Sequence, residues 1–176
     1  MSPSDLVRAS LKQRCADIAD VVFEDFTTRM EEEYFQHFTL DEIASHLYLA
    51  VRLDSEHPCQ VAIHPRPRGR FDIVIVAYDY FSEFATISGL LSAFGLDIRT
   101  GNIYTSGETS VRPSPPRLSS DQFPFRRRRP LGLSQKKIII DHFDVHPLTP
   151  QTFTSIQQAA FIEQLTRMVI LLDNNR

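Results

Sequence analysis

Residues 71–105, FDIVIVAYDYFSEFATISGLLSAFGLDIRTGNIYT, constrain the fold more than any other part of the chain. Residues 71–78 are a nearly unbroken apolar run rich in Ile and Val, as expected of a strand buried on both faces. Asp79 can turn the chain, and it competes with Ser82 for the N-cap of the next element. Phe84, Ile87, Leu91 and Phe94 then recur at helical spacing and line one face. Gly95 is placed to end that helix in a left-handed conformation. Leu96, Ile98, Ile103 and Tyr104 restart as a strand, with Thr100-Gly101 breaking the alternation as a bulge would. A strand–helix–strand unit of this size needs further strands to complete its sheet.

Those strands are legible on either side. Residues 59–64 alternate polar and apolar, residues 65–70 turn the chain back, and residues 61–63 are expected to form a hairpin with 73–76. Residues 136–145 regain strand character until Pro147. A last helix, starting at Thr149-Pro150 or at Thr152, presents Phe153, Ile156, Ala160, Leu165, Met168 and Leu172 on one face. Between the strands, residues 107–135 hold Pro113, Pro115, Pro116, Pro124 and Pro130 among serines, together with the run Arg126-Arg127-Arg128-Arg129. Such a composition cannot bury enough apolar surface to offset its ordering entropy, so the segment reads as a mobile insertion, with Phe123 and Phe125 available to pin part of it.

The first third is helical. Ser2-Pro3-Ser4-Asp5 offers a cap and a first-turn proline for a single long helix over residues 2–38. Leu11, Cys15, Ile18, Val22, Phe26 and Met30 form its seam, and Glu31-Glu32-Glu33 its solvated face. Thr39-Leu40-Asp41-Glu42 is a capping box that starts a second helix burying Ile43, Leu47 and Val51. Residues 54–58 then connect to the first strand. The expected organisation is a helical hairpin or arm over residues 1–57 and an α+β domain over 58–176.

The residues Asp79, Ala93, Gly95, Leu96, Ile98, Ile103, Tyr104 and Thr105, followed by IDHFDV at 140–145, resemble the ACT-domain family, a βαββαβ ligand-sensing module. The resemblance covers about the C-terminal two-thirds of the chain. It implies a ferredoxin-like antiparallel sheet with its helices on one face. The family's fourth strand has no counterpart after the last helix. Either the chain is one piece of a longer protein, or residues 61–63 fill the vacant edge beside the central strand. Farther upstream, Arg29, Met30, Tyr34, Phe35, Ile43 and His46 resemble the segment that precedes ACT domains in bacterial PII-protein uridylyltransferases. That family's nucleotidyl-transfer motif is absent from this sequence.

In the ACT family the turn after the first strand often binds a small amino acid between paired domains. The resemblance therefore marks Asp79, Tyr80, Phe81, Ser82, Glu83 and Phe84 as the candidate ligand-binding residues. The chemistry is sound, because free amides at a helix start favour a carboxylate. This chain carries Phe81 where proline is usual, Ser82 for glycine and Glu83 for an apolar residue. Two readings of the turn stay open: a ligand site, and an ordinary capped turn with Phe81 in the core.

Catalytic signals are poor. The sequence has no phosphate-binding loop, nucleophile elbow or zinc-binding helix motif, and its histidines are scattered. Asp141 and Asp144 fall on opposite sides of their strand and cannot act as a pair. No cofactor or metal is expected, with only Cys15 and Cys59 available as thiols. With 42% hydrophobic and 23% charged residues, no secretory signal and no membrane-length apolar run, a cytoplasmic protein is expected. The reading that follows is a regulatory sensing module, not an enzyme. It would control an attached or partner enzyme of nitrogen or amino-acid metabolism, with glutamine the first ligand to test and homo-oligomers expected. The alternative is a polyanion- or RNA-binding module using Arg126–Arg129, Lys136 and Lys137. A sequence pI of about 6.1 and an aliphatic central strand weigh against nucleic acid.

Overall fold

The computed structural model describes residues 3–79, 83–107, 136–149 and 153–174. Four helices come first: α1 (Pro3–Arg14), α2 (Asp20–Arg29), α3 (Glu32–His37) and α4 (Leu40–Val51). They are followed by β1 (Cys59–Arg66), β2 (Arg70–Tyr78), α5 (Glu83–Ala93), β3 (Leu96–Thr105), β4 (Ile138–Pro147) and α6 (Ser155–Asn174). The strands make one antiparallel sheet in the order β1-β2-β4-β3. The fold is α+β and compatible with a ferredoxin-like arrangement, with the helical lead-in present.

The hairpin forms in the expected register, with Val61 opposite Ile75 and Ile63 opposite Ile73. β1 thereby lies at the edge next to β2. The turn is tight, with Arg68 at φ 64° and Gly69 at φ 69°, both left-handed. Gly95, at φ 67°, closes α5 as its position predicts. The irregularity in β3 falls at Arg99, between Ile98 and Thr100, one residue earlier than Thr100-Gly101. It has a clear effect. Cross-strand partners share a face, so Ile98 opposite Val145 and Leu96 opposite Pro147 join one face. Asn102 opposite His142 and Tyr104 opposite Ile140 join the other.

Both faces are covered, which explains the continuous apolar run of β2. On one side lie Phe71, Ile73, Ile75, Ala77, Phe143 and Val145. There the Phe71 ring stands 5.2 Å from that of Phe153, just ahead of α6. α5 contributes Ile87 and Leu91, and Phe94 meets Phe161 edge-on at 5.5 Å. The buried face of α6 is Phe161, Leu165 and Val169, at steps of four. Ile156, expected there, is 79% exposed, because the face that places Phe161 against Phe94 and Phe153 turns Ile156 outward.

The opposite side of the sheet receives the lead-in. The single helix expected over residues 2–38 is broken at residues 15–19 and again at Met30, whose φ −86° and ψ 139° are extended. A straight helix of that length would run about 55 Å, against about 33 Å for a ten-residue strand, so its seam could not all reach one sheet. Breaking it lets Leu11, Cys15, Ile18, Phe26 and Met30 bury in the same hydrophobic cluster as the sheet. Glu31, Glu32 and Glu33 are exposed as expected. The Thr39–Glu42 capping box starts α4, which buries Ile43 and Leu47 and leaves Val51 45% exposed.

β3 and β4 are not joined by a short turn, and residues 108–135 between them lie outside the described residues. Their open end is closed from α2. Arg29 donates from Nε to the Gly107 carbonyl at 3.0 Å and from Nη2 to the Lys136 carbonyl at 2.8 Å. The buried Ser106 hydroxyl accepts from the Ile138 amide at 2.8 Å. These contacts do the register-setting that a tight turn performs in an ordinary hairpin.

Candidate functional site

The turn singled out by its family resemblance begins where β2 leaves the sheet. Asp79 is exposed, and its amide donates to the Lys137 carbonyl at 2.9 Å. α5 begins at Glu83. Tyr80, Phe81 and Ser82 lie outside the described residues, as do the side chains of Glu83 and Phe84. Arg126–Arg129 of the alternative reading lie outside them too. Lys136 and Lys137 are exposed at the entry to β4, with the Lys136 ammonium 5.1 Å from the centre of the Tyr78 ring.

The lead-in residues Arg29, Met30, Tyr34, Phe35, Ile43 and His46 all prove to be buried. Tyr34 is their hub. Its ring packs 5.3 Å from Phe35 and Phe38, 5.4 Å from Tyr104 and 6.2 Å from Phe26. Its hydroxyl lies 2.9 Å from His46 Nδ1. Burial pushes the Tyr34 phenol well above its usual range and, with help from nearby His142, lowers His46 to about 4. Tyr34 is thus a neutral phenol and His46 a neutral imidazole at physiological pH; the pair joins α3 to α4, while the Tyr34 ring meets the sheet at Tyr104. Arg29 faces Asp25 at 3.4 Å, both nearly inaccessible. In this chain the motif is a packing device.

A charged cleft of about 450 Å³ lies between α4 and the sheet, lined by Glu42, His46, His64, Arg66, Asp72 and His142. Alternation along β1, β2 and β4 puts His64, Arg66, Asp72 and His142 on the face that α4 covers with Glu42 and His46. Arg66 donates to Asp72 Oδ2 and reaches Glu42 Oε1 at 3.4 Å. His142 Nε2 stands 3.7 Å from Asp72 Oδ2. Asp144, in register with Asp72, accepts from Arg70 Nη1 at 2.8 Å. Burial raises the Glu42 carboxyl, but the Thr39 amide and hydroxyl, Arg66 and His142 outweigh it and hold the value below normal. Among the lining residues named, the single guanidinium of Arg66 serves the two carboxylates of Asp72 and Glu42.

Sequence reasoning did not single out this cluster, because Asp72 was absorbed into the apolar run. The available signal was the parity of His64, Arg66, Arg70 and Asp72, polar or charged at even positions only. Asp141 does lie on the face opposite Asp144, as alternation predicts. It is buried with Oδ1 unpartnered, and burial raises its carboxyl from 3.8 to about 7. Among the described residues, no group of His, Cys, Asp and Glu is arranged to hold a metal ion, and no helix is long and apolar enough to cross a membrane. No protein-family model matches the chain, and no curated protein matches it.

Proposed function

We propose that this chain is a regulatory module that binds a small amino acid at the turn opened by Asp79 and biases an attached or partner enzyme of nitrogen or amino-acid metabolism. The observation that carries the reading is the sheet order β1-β2-β4-β3. With β1 occupying the outer position, β2 is a central strand whose end delivers the chain, through Asp79, to the start of α5. Asp79 is exposed and α5 starts four residues later at Glu83, which supports a site combining a carboxylate with helix-start amides. The amides favour a ligand carboxylate, and Asp79 can receive its ammonium. Among the described strands β3 lies at an edge, with Ile103 47% exposed, and this edge is where a second copy would add.

Isothermal titration of the whole chain against a panel of proteinogenic amino acids, glutamine first, tests the reading. Saturable heat with at least one of them, dependent on protein concentration where the site is shared between copies, is the expected result. Silence across the panel overturns amino-acid sensing.

A further inference from the structure

The sensing turn and the helical lead-in meet at two consecutive residues. Arg29 of α2 holds the Lys136 carbonyl at 2.8 Å. One residue on, the Lys137 carbonyl holds the Asp79 amide at 2.9 Å. Arg29 is also fixed from behind. Asp25 faces its guanidinium at 3.4 Å, Nε is committed to the Gly107 carbonyl, and its own carbonyl accepts from the Gly107 amide at 2.8 Å. The Lys137 carbonyl shares one planar peptide group with the Ile138 amide, which donates to the Ser106 hydroxyl at 2.8 Å, one residue before the Gly107 that Arg29 holds. Moving α2 against the sheet pulls on both flanks of that peptide, at the Lys136 carbonyl on one side and at Gly107 beside Ser106 on the other, and so bears on the acceptor that anchors Asp79.

We propose that Arg29 is a positioning residue for the Asp79 turn, coupling its state to the helical lead-in through residues 136 and 137. The inference rests on reading that turn as the sensing end, and it names how a bound ligand is reported. A ligand that draws on Asp79 alters the bonds Arg29 makes, and a shift of α2 changes ligand affinity by the same factor, since coupling between sites is reciprocal. The physical requirement is an element that both sites bias. Here it is the entry to β4, held by Arg29 on one residue and by Asp79 on the next.

Amide hydrogen exchange on the whole chain, without ligand, tests the coupling. Arg29→Lys keeps a cation beside Asp25 but lacks the planar fork that spans both carbonyls. The Asp79 and Gly107 amides should exchange about tenfold faster than in the wild type, with the central β2 amides of Ile75 and Val76 within about twofold. Tyr34→Phe keeps the ring contact with Phe26 of α2, removes only the hydroxyl that bonds His46 of α4, and should leave Asp79 unchanged. If Arg29→Lys unfolds the chain, Asp25→Asn, which frees the guanidinium from behind but retains it, should accelerate Asp79 in the same selective way. Acceleration at Gly107 with Asp79 unchanged, or equal acceleration of every amide, overturns the proposal. Because no ligand enters the experiment, its failure removes the coupling alone, whereas silence in the titration removes the sensing reading.

Discussion

The two faces of the sheet solve burial in opposite ways. Towards α5 and α6 the interior is apolar, built from Ile73, Ile75, Phe143, Val145, Phe161 and Leu165, with Asp141 as a lone carboxyl. Towards α3 and α4 it is aromatic at one end and ionic at the other. There Asp72 is buried like Asp141, yet Arg66 and His142 stand beside it. The same residue type at similar depth is hydrogen-bonded by a guanidinium on one face, and on the other has an unpartnered oxygen and a carboxyl raised by burial. Neighbours decide which, since a buried charge needs a partner and otherwise takes up a proton.

The largest effect should come from adding a charge to the apolar face. Ile75→Asp places a carboxylate only three residues from Asp72 in the same strand, but on the apolar side, among Ile73, Phe143 and Val145. It should cost several kcal/mol and abolish the cooperative thermal transition. A mutant that melts like the wild type would show that the faces do not differ as described.

Next in size is a linked pair of pH dependences. Between pH 3.8 and about 7 the folded chain keeps the Asp141 proton that the unfolded chain has lost, so stability falls as pH rises. Between about 4 and 6.5 the unfolded chain binds a proton at His46 that the folded chain refuses, so stability falls as pH falls. Each slope is about 1.4 kcal/mol per pH unit, and where the windows overlap they cancel. Asp141→Asn should expose a stability that climbs with pH by about 3 kcal/mol across the overlap, and His46→Gln a stability that declines. Urea midpoints at several pH values between these limits read both. Parallel profiles for the two variants would contradict the assignment.

A smaller effect belongs to the aromatic end. Tyr34→Phe keeps the ring contacts but leaves His46 Nδ1 without its partner, at a cost of about 1–3 kcal/mol measured by chemical denaturation. No loss would mean that ring packing, not the hydrogen bond, holds α3 to α4.

The central unit was readable because its signals are local. The apolar run of β2, the period of Ile87 and Leu91, and Gly95 each specify their own stretch. Register then placed Val61 against Ile75, filling the edge next to β2. What could not be read depends on contacts distant in sequence. The seam from Leu11 to Met30 has the period of one helix, and only the finite sheet it must cover breaks it. Arg29 looked like part of a motif, but its partners are Gly107 and Lys136, across most of the chain. Ile156 obeys helical spacing, yet the rings of Phe94 and Phe153 choose Phe161 instead. The ionic cleft was hidden because Asp72 reads as an interruption of a strand until β4 brings His142 and Asp144 beside it. Of the turn proposed to bind a ligand, the structure describes Asp79 and the helix that starts at Glu83.

The sensing claim places the ligand at the turn and not in the ionic cleft, and ligand-dependent melting separates the two. The whole chain, Asp79→Ala and Asp72→Asn would each be melted with and without glutamine, or another amino acid that titration identifies. A ligand at a hundred times its Kd should stabilise the wild type by about 2.7 kcal/mol, or roughly 5–10 °C for a chain of this size. The predicted result is a shift lost in Asp79→Ala and retained in Asp72→Asn. A shift retained in Asp79→Ala and lost in Asp72→Asn, or none in the wild type, would contradict the account.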